Sequence, residues 1–147
     1  MLANPIVLQQ QPTPVCCTAT CVAMAIGVPI ADLGVTLNDS YDLTDFGVFL
    51  AERGIWLRYL DRGARFCSGS LYLLSVRSLN KIGVDHAVLL DTRQCSCDEP
   101  DGWCRDWRVY DPNEGREGKD FYKRVWETHA IKVCQLKDRS VSGAGIP

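Results

Sequence analysis

The chain is expected to fold as an α+β domain, a helical N-terminal part packed against an antiparallel β-sheet. Two patterns predict this. Apolar residues at helical spacing are confined to the first third, at Ala19, Val22, Ala23 and Ile26, then at Leu43, Phe46, Phe49 and Leu50. Short β-rich runs follow at 55–60, 71–76, 84–90, 106–110 and 130–135. Helices first and strands later favour α+β over a wound parallel sheet. The length of 147 residues sets the scale: one domain over 1–137, large enough to bury roughly 70% of its unfolded surface, and a loose tail at 138–147.

Residues 1–15, with Pro5, Pro12 and Pro14, read as extended chain. A loop then leads into a helix that ends where Gly27 and Pro29 stop it, with Cys16 and Cys17 in its first turn. That helix is apolar nearly all round, so it is expected to be central and buried. Residues 42–53 form a second, amphipathic helix, with Gly54 suited to the position just after its end. The 55–60 run alternates as a strand, while 71–76 and 84–90 are apolar enough to be buried strands. The strands carrying His86 and Asp111 pair as a hairpin with an unusually long loop, about 92–105, and residues 113–119 form a Gly-rich turn. Trp56, Tyr59, Trp107 and Tyr110 fall on strands and are expected to pack in the core or on a sheet face.

Composition narrows the function. An apolar fraction of 46% and a charged fraction of 23% are those of an ordinary globular protein. Net charge is -2 with no basic block, so neither nucleic acid nor an anionic membrane is an expected partner. No apolar run reaches the ~18 to 20 residues of a membrane span, and the start lacks a charged region and a long apolar region of secretory type. The expected location is cytoplasmic, and a virion component or a delivered effector would have the same sequence character. The eight cysteines are then expected to stay reduced.

One constellation carries chemistry. Gln11 lies six residues before Cys17, His86 opens an apolar run, and Asp111 stands before Pro112. A thiol at a helix N-terminus gains from the helix dipole and free N–H groups. An imidazolium beside it lowers its pKa further. A carboxylate behind the imidazole sets its tautomer and aim, and a side-chain amide plus the thiol residue's own N–H can bind an oxyanion. These are the parts of a papain-like thiol hydrolase. Spacing alone leaves two registers open, because Gln10 and Cys16 are also six apart. Cys21, one turn on, reads as core. His86 is favoured over His129, and Asp111 over Asp85 and Asn113.

Gln11-x5-Cys17-x3-Cys21-x-Ala23-Met24 closely resembles the nucleophile segment of the double-glycine leader peptidases, the papain-like domains of bacteriocin-exporting ABC transporters. In that family Ala-Met follows the catalytic cysteine at plus six and plus seven, which here implies Cys17. Asp85-His86-Ala87-Val88-Leu89-Leu90 resembles the family's histidine strand, and Val109-Tyr110-Asp111-Pro112-Asn113-Glu114-Gly115 its aspartate segment. The resemblance covers roughly residues 9–115, in three short blocks. It implies a papain-like fold, a Cys17–His86–Asp111 triad, Gln11 at the oxyanion, a thioester intermediate and no cofactor or metal. Three departures stand out. Thr18 replaces the family's usual glycine after the nucleophile and is expected to crowd it. The interval from His86 to Asp111 is long, and no attached transporter is expected. A stand-alone phage- or effector-type cysteine peptidase is the implied class.

Cys95, Cys97 and Cys104 form a separate group that could hold zinc with Cys67, Cys134 or an acid, could form a disulfide, or could be reduced thiols on an exposed hairpin. The expected activity is hydrolysis of a peptide or isopeptide bond in a protein or peptide substrate. Side-chain deamidation or acyl transfer by the same groups is one alternative. A non-catalytic papain-like protein that binds through the 92–106 hairpin is another, and a zinc-stapled interaction domain a third. Oligomeric state leaves no mark in the sequence.

Overall fold

A computed structural model describes residues 1–61, 66–78, 84–94, 106–113 and 130–139. Helix α1, Cys17–Ile26, starts with Cys16 as its N-cap and ends at Gly27, whose φ of 74° is left-handed. The Gly27 N–H bonds back to Ala23 O at 2.9 Å, closing the helix as a glycine C-terminus does. Residues 19–25 are all buried, so α1 is the central helix its composition implied. The extended N-terminal segment straps across its far end, with Ala3 N donating to Ala25 O at 2.7 Å.

The second helical segment is broken where one amphipathic helix was expected. A 3-10 turn, Leu43–Phe46, precedes a short helix α2, Gly47–Glu52. The split has a local cause. Asp42 and Asp45 form a reciprocal capping box, with Asp45 Oδ2 accepting from Asp42 N at 2.8 Å. Gly47, poor in helices by about 1 kcal/mol, follows at once. Leu43, Phe46 and Leu50 still face the core, Phe49 packs beside them, and Gly54 takes the expected left-handed conformation.

Five strands form one antiparallel sheet in the order β1-β5-β2-β3-β4. They are β1 Ile55–Leu60, β2 Leu71–Arg77, β3 Asp85–Asp91, β4 Arg108–Tyr110 and β5 Ala130–Asp138. The last strand thus inserts between the first two. Leu71, Leu73, Ala87, Leu89, Cys134 and Leu136 share a core cluster with α1 and Leu50 of α2. The opposite face buries Tyr72, Leu74, Val76, Val88, Leu90, Val109 and Val133 around Trp107. Burial on both faces explains why β2 and β3 read as continuous apolar runs.

Some expectations need correction. β5 runs on to Asp138, paired with Ile55, and Arg139 N donates to Gly54 O at 2.6 Å. The expected tail at 138 therefore cannot start there, because β1 is long enough to pair with β5 to that point; residues 140–147 lie outside the described residues, as does most of the 113–119 turn. Trp107 is buried and Tyr110 half-buried, but Trp56 and Tyr59 are 50% and 49% exposed. Both sit on β1, which among the described residues is an edge strand paired only with β5. No helix among the described residues is long and apolar enough to cross a membrane.

Leu89 is fully buried between α1 and the sheet. Leu89→Ala is expected to lower stability by about 2–5 kcal/mol. Urea unfolding checks this as a lower midpoint at unchanged slope; an unmoved midpoint would contradict the assigned core.

Candidate active site

Three elements meet at the N-terminus of α1. Cys17 is the first residue of that helix and is half-buried, in the turn where backbone N–H groups lack intrahelical partners. His86 is the second residue of β3, and Asp111 follows the last residue of β4. The β3–β4 register pairs Leu89 with Tyr110. Beyond Tyr110 the chain continues antiparallel to β3 towards the start of that strand, which brings Asp111 to the end where His86 lies and the two can touch. The touch is made: His86 Nε2 and Asp111 Oδ1 are 2.7 Å apart, with both residues buried. Asp111 Oδ1 also accepts the Asn113 N–H at 2.9 Å, which fixes the carboxylate. Among the three acceptors considered for His86, Asp111 is the one bonded to it. Asn113 acts through its backbone, and Asp85 is exposed on the rim of a cleft.

The Cys17 thiol and the His86 ring line the same cleft, close enough for each to shift the other's pKa. With Nε2 on Asp111, Nδ1 is the ring nitrogen left for the sulfur. Burial pushes the Cys17 thiol up. It is outweighed by the His86 hydrogen bond and charge, the Ala87 N–H and the Thr18 hydroxyl, and the net shift is downward. Burial likewise pulls His86 down, but hydrogen bonds and charges from Asp111 and Cys17 raise it to about 9. Both shifts favour a thiolate–imidazolium pair. Thr18 lines the cleft next to Cys17, and its side chain is among the groups that favour the thiolate.

Cys16 is the N-cap residue, 1% exposed, and its sulfur accepts from Thr13 Oγ1 at 3.2 Å, so it is turned away from His86. Cys21 is fully buried, and burial together with the nearby Cys17 and Asp111 charges holds its thiol well above the ordinary range. Gln11 is held close by its backbone, whose N–H donates to Pro112 O at 2.7 Å. Its side chain does not point its amide into the cleft. Nε2 donates to Thr13 O at 2.9 Å, Oε1 is buried without a partner among the described residues, and Gln11 is not a lining residue. The Thr13 carbonyl, two residues on, is simply within reach of that amide.

The cleft beside Cys17 has a volume of about 430 Å³. Cys17, Thr18 and His86 line it, together with groups that sequence reading left out of the site, among them Tyr59, Ser75, Lys132 and Cys134. Burial pushes the Cys134 thiol to about 11, partly offset by a backbone hydrogen bond from Arg58, so the second thiol of the cleft stays protonated at neutral pH. Ala87 and Thr18 were legible as chain neighbours of His86 and Cys17. Lys132 and Cys134 arrive only through the insertion of β5 beside β2. Among the described residues no cluster of His, Cys, Asp and Glu could hold a metal ion. Cys67 is exposed and Cys134 buried, while Cys95, Cys97, Cys104 and His129 lie outside the described residues.

The His86 shift has a direct readout. Its ring protons are expected to titrate near pH 9 by NMR, against about 6.5 for an unperturbed imidazole. Titration at the unperturbed value would mean that the Asp111 hydrogen bond and the Cys17 interaction do not persist in solution. Comparison with protein-family models, curated proteins and solved structures found no match to the chain.

Proposed function

We propose that the chain is a papain-like thiol hydrolase, akin to the double-glycine leader peptidases, that cleaves a peptide or isopeptide bond. The observation that carries this reading is the 2.7 Å contact between His86 Nε2 and Asp111 Oδ1, with His86 and Cys17 lining one cleft and shifting each other's pKa towards a thiolate–imidazolium pair. The Cys17 thiolate adds to the carbonyl carbon, forming the C–S bond. The oxyanion is met by the Cys17 N–H and by the Gln11 amide once that amide turns from Thr13 O. Imidazolium His86 gives its proton to the departing amine as the C–N bond breaks, leaving a thioester. Water then adds to the thioester while His86 takes its proton, and the C–S bond breaks to return acid product and the thiolate–imidazolium pair. Asp111 keeps the ring aimed and stabilises its charge.

Deamidation of a glutamine or asparagine side chain and acyl transfer to an amine share this thioester and differ in the amide attacked or the acceptor. The binding-only reading has one observation on its side, the engagement of the Gln11 amide with Thr13 O. A nonspecific active ester separates binding from chemistry. Incubation with p-nitrophenyl acetate should give a burst of nitrophenol and one acetyl group on Cys17 by mass spectrometry. Acetylation spread over the thiols, or persisting in Cys17→Ala, would leave binding as the function.

A further inference from the structure

The surroundings of Cys17 and His86 are chemically one-sided. The cleft lies over the sheet face that carries two cross-strand rows. Tyr59, Cys134 and Leu73 make one, and Lys132, Ser75 and Ala87 the other. Ser40, Tyr41, Asp42, Leu43 and Asp45 wall it from the helical side, and Asp85 stands on the rim just before His86. The thiolate and imidazolium cancel in charge. Among the described lining residues, what remains is three carboxylates, Asp42, Asp45 and Asp85, against one ammonium, Lys132. In a chain whose net charge is -2, that concentrates negative potential at the place where a substrate must lie, and low-dielectric walls focus it.

The negative groups are fixed in place. Asp42 and Asp45 are locked by their capping box, Asp42 Oδ1 accepting from Leu43 N at 2.8 Å and Asp45 Oδ2 from Asp42 N at 2.8 Å. A carboxylate has about four lone-pair directions, so each keeps acceptor capacity for a ligand. Tyr59 supplies a different kind of group, a ring 49% exposed on the cleft floor. Burial raises its hydroxyl pKa, and the Cys134 and Asp42 charges add to this, so the Asp42 carboxylate lies within electrostatic reach of it. A half-exposed aromatic ring beside fixed carboxylates suits a long side chain with an apolar stem and a cationic head. A neutral or acidic side chain leaves those carboxylates unpaired or repelled.

We propose that this cleft selects peptides with lysine or arginine in one of the two residues on the acyl side of the attacked bond. The stem lies against the Tyr59 ring and the charge sits among Asp42, Asp45 and Asp85. The inference rests on the reading of Cys17 as nucleophile and adds the substrate class to it.

The test uses peptidyl chloromethyl ketones that differ only in those two residues: arginine, the uncharged norleucine, or glutamate. Alkylation of Cys17 in the whole protein is followed by mass spectrometry, and each rate is divided by the rate with iodoacetamide, which is small and uncharged. The arginine probe is expected to react about tenfold faster than norleucine, with glutamate slowest. The advantage should shrink as salt rises from about 0.05 M to about 1 M, since screening shortens from roughly 14 Å to 3 Å. It should be lost in the Asp42→Asn, Asp85→Asn double variant, in which the cap at Asp42 is retained, and should fall in Tyr59→Leu. Equal arginine and norleucine rates at low salt, with iodoacetamide still singling out Cys17, would overturn the substrate class and leave the nucleophile standing. Iodoacetamide that fails to single out Cys17 would overturn both.

Discussion

In the proposed mechanism, replacing Cys17 by alanine is expected to cut turnover of any cleavable substrate by about 10³-fold or more, because the thiolate that forms the acyl intermediate is removed. Cys134 shares the cleft but is held protonated, at about 11. Cys16 is adjacent in sequence but buried on Thr13. The matching chemical result is selective alkylation. At mildly acidic pH iodoacetamide should label Cys17 ahead of the other seven thiols, because its pKa is lowered by a buried cation beside it. In His86→Ala that cation is gone while burial remains, so labelling should slow by about 10²-fold. The pH profile follows from the two shifts. The thiolate–imidazolium pair exists above the lowered pKa of Cys17 and below the raised pKa of His86, about 9. Activity should therefore rise from acid pH, hold through neutrality and fall near pH 9. A profile that rises throughout as an ordinary thiol ionises would refute the pair.

Asp111 is expected to give the second large effect, and two substitutions separate its roles. Asp111→Ala removes the acceptor of both the His86 ring and the Asn113 N–H from a site that is 1% exposed. The loss should be about 3–5 kcal/mol of stability, as for a buried pair with one partner removed, and about 10²–10⁴-fold in rate as the ring loses its aim. Asp111→Asn keeps an acceptor oxygen and removes the charge. It should retain more activity while the alkaline limb moves down from about 9 toward the ordinary imidazole value. Linkage gives the sign for stability. His86 has a folded pKa above its unfolded value, so its contribution is complete below about pH 6.5 and fades as pH rises toward about 9. Melting temperatures across that window should fall more in the parent than in Asp111→Asn. Equal slopes would mean that Asp111 does not hold the imidazolium.

How far the sequence foretold this molecule can be judged residue by residue. The buried helix was legible because Ala19, Val22, Ala23 and Ile26 recur at helical spacing and Gly27 ends the run, while Cys17 was preferred to Cys16 by the family resemblance at Ala23-Met24. His86 and Asp111 were legible as the ends of two apolar strands, and antiparallel pairing then required little more than a shared register. The split of residues 42–53 at Gly47 was less legible, since its capping box lies inside what looked like one amphipathic period. The orientation of the Gln11 side chain was not legible, because residue type says that an amide is present but not which carbonyl takes it, and here Thr13 O does. Thr18 was read as an obstacle from its bulk, while its influence in favour of the thiolate depends on how its side chain sits at the cleft.

The sequence by itself determined the α+β class, the order of its elements and the residue types offered to the site, because helix ends, strand runs and turn residues are local properties of the chain. The tertiary structure decided that Nε2 of His86 lies 2.7 Å from Asp111, and that β5 enters the sheet beside β2 to bring Lys132 and Cys134 into the cleft. It also decided that Tyr59, on an edge strand, stays half-exposed at that cleft. Those outcomes depend on which strands pair and which side chains are left without a neighbour. Such choices are made by burial and hydrogen bonding between segments far apart in sequence, and no local pattern records them.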